Sequence, residues 1–345
     1  MVDDKVAVPD FIEPWGTEIK ISSLTFVKIS AAFALICGLS LSDAHAFNVN
    51  NPPPEVVATW AGGIQFLPPS ATLSGETEEV SFVHEAPADW SQRVQEEFLK
   101  PGAKVPAVIY LHGCNGPINA KSWAWDFAEF GFAFFAPDSF RRPGRTVNCQ
   151  QGNLDSRIFE RHYELAYALN QIQKLPWVDQ KRLILVGFSE GAHAASDYGG
   201  DGFIAHILLG NDCRFGGPSA PSGVAVLNIV GTNDRYGYGG GCNIWRDVGG
   251  SKSVVLKNLA HNVQGNSRTL GAIAKFLEAC CGYQPVSATA SLDPEATAKK
   301  LVEEFGGLAT LDAMLKAEEA AGKGDEEGHK FWMRVHEIAM KLTGG

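Results

Sequence analysis

The chain has 345 residues, 45% of them hydrophobic and 20% charged, a globular profile that excludes a disordered or fibrous protein. Formal net charge is -10 and no Lys/Arg cluster is dense enough to neutralise a row of phosphates, which excludes nucleic acid as a partner. The seven cysteines form no C-x-x-C pair and no H-E-x-x-H helix is present, so a zinc site is not expected.

At the N-terminus Lys20 and Lys28 precede an apolar run over residues 29–41, and Ala44-His45-Ala46 supplies the small-x-small pattern of a signal-peptidase site. The run is well short of the roughly 20 residues that cross a bilayer. Residues 1–46 are therefore read as a leader and signal peptide ending at Ala46. The expected destination is periplasmic or secreted, without permanent membrane insertion. The acidic residues Asp3, Asp4, Asp10 and Glu13 depart from the usual basic leader, and a buried N-terminal helix is the alternative. Cleavage would remove Cys37 and leave Cys114, Cys149, Cys213, Cys242, Cys280 and Cys281 available for disulfides whose pairing stays open.

Residues 51–54 and 67–74 are rich in Pro, Ser and Gly, so 47–77 reads as an N-terminal extension or linker. A short strand is predicted at 80–83, and the continuous apolar run 105–111 has the length of a doubly buried parallel strand. Then follow a helix over 121–130 closed by Gly131, a strand over 132–136 and a long amphipathic helix over 155–174. A strand over 183–186 leads to a helix over 192–196, and further strands are read at 205–209, 225–230 and 254–256. A helix over 267–280, with Ser267 as N-cap, closes the series. Such alternation over 78–282 predicts an α/β domain, a mostly parallel sheet with helices on both faces and ligands at the carboxyl ends of the strands. Residues 283–345 read as a small C-terminal helical extension, opened by Asp293 as N-cap, Pro294 at N1 and Glu295 in the first turn. In its last helix Phe331, Val335, Ile338 and Leu342 recur at helical spacing, an apolar face expected to pack on its own domain or on a second subunit.

The strongest motif is Gly187-Phe188-Ser189-Glu190-Gly191, a G-x-S-x-G sequence between a predicted strand and a predicted helix. A strained turn there lifts a serine oxygen clear of the sheet, and the flanking glycines admit close backbone neighbours. A serine hydroxyl is a weak nucleophile at neutral pH and needs a base that is itself oriented by a carboxylate. Asp234 follows the strand at 225–230 and His261 follows the strand at 254–256, which gives the order Ser, Asp, His on one rim of the sheet. Asp212 and Asp247 are weaker candidates: the first follows the strand immediately after the elbow, the second has no strong strand before it. The catalytic candidates are therefore Ser189, Asp234 and His261. His112-Gly113-Cys114 ends the first long strand, so the backbone N–H groups of Cys114 and Glu190 are the expected oxyanion donors, with the Cys114 thiol a buried bystander.

Taken together, Leu99-Lys100-Pro101 before Pro106-Ala107-Val108, His112-Gly113-Cys114, Ala136-Pro137-Asp138-Ser139-Phe140, the elbow, Asp234 and His261 resemble the dienelactone hydrolase family of the α/β-hydrolase superfamily over residues 79–280. The resemblance implies an α/β-hydrolase fold and a lid-poor esterase or lactonase that needs no cofactor. It departs from dienelactone hydrolase itself, a cytosolic enzyme with a cysteine nucleophile, in placing Ser189 at that position and in its leader. The implied partner is a small-molecule ester or lactone, and the natural substrate does not carry over. Arg141, Arg142 and Arg145 follow Phe140, while Tyr236, Tyr238 and Trp245 flank the glycine run 239–241. They are either solvent-exposed arginines and a flexible loop, or a clamp for an anionic acyl group in which Arg141, Arg142 and Tyr236 bind substrate. Two alternatives to ester or lactone hydrolysis stand beside it: an exported binding protein that has lost turnover, and acyl transfer by the same triad.

Overall fold

The structure, a computed structural model, describes residues 47–81, 87–149, 154–211, 218–236, 248–283, 294–323 and 326–344. The leader 1–46, residues 82–83 of the first expected strand, Asp212, Asp247, Tyr238, Trp245, the glycine run 239–241, Cys213, Cys242 and Asp293 lie outside them.

Among the described residues eight strands form one sheet in the order β2-β1-β4-β3-β5-β6-β7-β8. They are β1 (Ile64–Leu67), β2 (Glu78–Glu79), β3 (Val105–Leu111), β4 (Ala133–Ala136), β5 (Val178–Phe188), β6 (Ala205–Leu209), β7 (Ala225–Gly231) and β8 (Lys252–Leu256). β1 runs antiparallel to both β2 and β4, and every later pairing is parallel. This mostly parallel sheet with an antiparallel N-terminal edge is an α/β-hydrolase fold.

The central strands are apolar at successive positions because both faces are covered. In β3, Ala107, Ile109 and Leu111 point into one core while Val108 and Tyr110 point into the other. The first core is closed by α1 (Pro54–Ala61), α2 (Pro87–Arg93) and α4 (Leu154–Ile172), through Trp60, Trp90, Leu165 and Ile172. The second is closed by α3 (Ala120–Glu129) and α6 (Ser267–Cys281), through Trp123, Phe127, Ile273 and Phe276. The short α5 (Glu190–Asp197) follows β5 directly.

Residues 47–77 are not a linker. Val56 and Trp60, four apart on α1, are buried, Trp60 stacks on Phe135 of β4 with ring centroids 5.6 Å apart, and β1 pairs with β4. Flanking prolines and an eight-residue helix hide this in the sequence. So short a helix is held by what it packs against rather than by its own propensity. The N-cap of α6 is Asn266, not Ser267: its side-chain oxygen accepts from the backbone N–H of Arg268 at 3.0 Å.

The C-terminal helices α7 (Pro294–Phe305), α8 (Ala309–Lys323) and α9 (Glu326–Thr343) pack on one another through Ala298, Leu301, Ala309, Ala313, Phe331, Val335 and Ala339. α8 also lies against α6 of the sheet domain. Of the expected stripe, Phe331 and Val335 are buried and Ile338 partly so, whereas Leu342 is 46% exposed. The cover ends at Ala339. Among the described residues no helix is long and apolar enough to cross a membrane.

Candidate active site

β5 stops at Phe188 and α5 starts at Glu190, leaving Ser189 alone in the turn with φ 55° and ψ -117°. A residue with a Cβ rarely occupies that region, and holding it there costs on the order of 1–3 kcal/mol. The surroundings enforce it. The backbone N–H of Ser189 donates to Leu209 O of β6 at 2.9 Å, and Gly191 packs so closely under β3 that a Cβ would lie 1.9 Å from Leu111 O. Only glycine allows that approach.

Asp234 follows β7 and His261 follows β8, so two parallel neighbours deliver acid and imidazole to the carboxyl edge of the sheet. His261 Nδ1 lies 2.7 Å from Asp234 Oδ2, and the Asp234 side chain is fully buried. The other oxygen, Oδ1, accepts from the Tyr236 backbone N–H at 2.8 Å. A carboxylate can only accept here, so Nδ1 carries a proton, and in the neutral ring Nε2 is the nitrogen that keeps its lone pair. The imidazole is flanked by the rings of Phe188 and Tyr236, with centroids at 5.2 and 4.9 Å. Ser189 and His261 line the same cavity of about 520 Å³. Their side chains do not hydrogen-bond to each other in this structure; such bonds are often long in unliganded enzymes and close when substrate binds.

The loop after β3 lies directly against the elbow: a Cβ on Gly113 would stand 3.4 Å from Ser189 Cβ. Cys114 and Glu190 both line the cavity. Glu190 is the first residue of α5, where a backbone N–H has no acceptor within its own helix. Cys114 does not carry the bystander thiol expected from sequence, because its sulfur is bonded to Cys149. That bond removes Cys114 as a nucleophile. A second disulfide joins Cys280 and Cys281.

Of the expected substrate-binding residues, Tyr236 lines the cavity, and Arg141 and Arg142 do not. Arg141 is paired with Asp138 at 3.1 Å and mostly exposed. Arg142 is drawn inward by Glu164, to which its Nε donates at 2.7 Å. Glu164 also accepts from Arg161 Nη1 at 3.0 Å and from Ser139 Oγ at 2.5 Å, and Arg161 Nη2 donates to His112 O at 2.8 Å. These fully buried charges anchor the end of β3 from behind. His112 belongs to the same cluster. Its Nε2 accepts from the Ser139 backbone N–H at 3.1 Å, so the ring proton sits on Nδ1 and is donated to Gly113 O at 2.8 Å. Burial, reinforced by the Arg161 guanidinium, holds the His112 pKa well below the ordinary histidine value.

Sequence reasoning missed Arg157 and the pairing partners of Glu190. The Glu190 carboxylate is buried between Arg145, which bonds Oε1, and Arg157, whose Nε is 3.1 Å from Oε2. A signal was present: Arg157, Arg161 and Glu164 recur at i, i+4 and i+7 on α4, the spacing of one helix face, and that face is buried. Among the described residues no group of three or more His, Cys, Asp or Glu side chains converges as a metal site.

No protein-family profile matches the chain. No curated protein matches it in sequence either. Among solved structures the chain is similar to a thermophilic esterase from Thermogutta terrifontis with propionate bound, at 16% identity and TM-score 0.37, over 52% of this chain and 84% of that one. A phospholipase/carboxylesterase from Dyadobacter fermentans is similar at 15% identity and TM-score 0.36, over 50% and 90%. A dienelactone hydrolase-like promiscuous phosphotriesterase from metagenomic libraries is similar at 19% identity and TM-score 0.34, over 47% and 73%.

Proposed function

We propose that this chain is a serine hydrolase that cleaves a carboxylic ester or lactone through an acyl-enzyme, with Ser189 as nucleophile, His261 as base and then acid, and Asp234 as orienting carboxylate. The observation that carries this reading is the 2.7 Å contact of His261 Nδ1 with buried Asp234, on the rim of a cavity into which a strained Ser189 opens. Ser189 Oγ attacks the carbonyl carbon while His261 Nε2 takes its proton. The oxyanion accepts from the N–H groups of Glu190 and Cys114, and the positive end of α5 adds to their effect. Collapse of the intermediate expels the alkoxide, protonated by His261; in a lactone it stays tethered to the acyl group. Water, deprotonated by His261, then attacks the acyl-enzyme and releases the carboxylate. Tyr236 forms the aromatic wall of the acyl or alcohol site. The apolar run and Ala44-His45-Ala46 support export, and the disulfides support an oxidising compartment.

The test is fluorophosphonate labelling combined with turnover of activated aryl esters and lactones. Wild type should label at Ser189 and turn over, while Ser189→Ala and His261→Ala should each lose on the order of 10⁴-fold or more in kcat, because members of a triad act as a unit. A folded protein that neither labels nor turns over any of the panel would leave a binding protein on this scaffold. Ester products on adding alcohols would identify acyl transfer instead.

A further inference from the structure

We propose that the segment 141–149 is a brace that positions the oxyanion hole, with Cys149, Arg145 and Arg157 as positioning residues; the inference rests on the hydrolase reading above. The two donors come from separate elements, Cys114 from the loop after β3 and Glu190 from the start of α5, and they work only if both N–H groups converge on one oxygen. Each has a side chain held by the same short segment. Cys149 is bonded to Cys114, and Arg145, four residues earlier, is bonded to the Glu190 carboxylate.

Arg157 of α4 closes the circuit. Its Nη1 donates to Asn148 O at 2.9 Å, next to Cys149, while its Nε lies 3.1 Å from Glu190 Oε2. The path from Cys114 through Cys149, Asn148 and Arg157 to Glu190 thus ties one donor to the other without passing through the substrate. Arg145 is seated in turn, its guanidinium 5.7 Å from the centre of the Phe140 ring.

Fold stability gives weak reason for this cluster, because a buried ion triad is commonly replaced by apolar side chains without loss. Its location gives a better one. A carboxylate on the residue that donates to an oxyanion would oppose the developing negative charge. Two guanidinium groups on that carboxylate, with side chains 7% and 9% exposed, reverse the sign of the local charge and hold Glu190 in one place.

The full-length chain is tested as Cys149→Ser and Arg145→Gln, with active sites counted by fluorophosphonate so that only folded enzyme enters kcat. Each variant should lose about 10- to 100-fold in kcat with KM changed less than about threefold, since removing one donor outright costs about 10² to 10³. Affinity for a trifluoromethyl ketone, which forms a tetrahedral adduct, should fall by the same factor as kcat/KM. Affinity for the product carboxylic acid should not change. If Cys149→Ser fails to fold, wild type reduced with dithiothreitol and alkylated at Cys114 and Cys149, as mapped by mass spectrometry, should show the same loss. Unchanged kcat with the bond absent, or a loss confined to KM, would overturn the brace. Full activity in Ser189→Ala would instead overturn Ser189 as nucleophile, and a folded wild type that neither labels nor turns over would overturn the hydrolase reading itself.

Discussion

Ser189 is held where the residue carries strain for its position in the turn, and that strain can be measured apart from the chemistry. Ser189→Ala keeps a Cβ at φ 55°, whereas Ser189→Gly removes it. Both should be inactive, and the glycine variant should be the more stable by about 1 kcal/mol, the relief of strain less the entropy that glycine loses on folding. Equal melting temperatures would limit the strain to the entropy that glycine loses, about 0.5–1 kcal/mol. His112 offers a test by pH. Its folded pKa is depressed by burial and by Arg161, so below about pH 6.5 the unfolded chain binds a proton that the folded chain refuses. Stability therefore rises with pH up to about 6.5 and falls below it, by at most about 1.4 kcal/mol per pH unit from this one group. Urea titrations from pH 7.5 to 5 should show a shallower acid slope for His112→Gln than for wild type; identical slopes would refute the depressed pKa. Ser189, Asp234 and His261 could be read because each sits at the end of an apolar strand run, in an order that places all three on one rim. The partners of Cys149 and Arg145 could not, since a loop path that no local pattern encodes brings them together, whereas Arg157 left only the charged face of α4 as a trace and no hint of its partner.

At the level of elements, long doubly buried strands such as Val105–Leu111 were legible because continuous apolar runs bounded by turn residues have few other uses. β1 was not. Four residues, Ile64–Leu67, between proline-rich stretches carry too little periodicity to separate an edge strand from an extension. The consequence is measurable at Trp60, 3% exposed. Trp60→Ala should lower unfolding free energy by about 3–5 kcal/mol, as for other buried aromatics, while the folded fraction keeps its specific activity. A change within about 0.5 kcal/mol, usual for surface sites, would return residues 47–77 to the role of a linker. The C-terminal elements differ in another way. The face of α9 and the start of α7 at Pro294 were legible in sequence, but the faces of α7 and α8 that meet α9 were not, because three of the four buried residues they supply, Ala298, Ala309 and Ala313 beside Leu301, are alanines.

Across the whole molecule, the residues that line the cavity, the proposed oxyanion donors and the His261–Asp234 pair all fall within 114–262, and the three C-terminal helices line none of it. Truncation after Tyr283 should therefore leave kcat/KM of the folded protein within about tenfold, a change worth about 1.4 kcal/mol. It should lower the melting temperature modestly by uncovering the α6 surface that α8 touches. A folded truncation without turnover would place the helices in the site. The bond between Cys114 and Cys149 has a further consequence for the molecule as a covalent object. It joins cysteines 35 positions apart and closes a ring that contains α3 and β4. A protease that cuts within 115–148 opens the ring without releasing a fragment. Such a nicked chain should migrate at full mass on a non-reducing gel and separate into two pieces only after reduction.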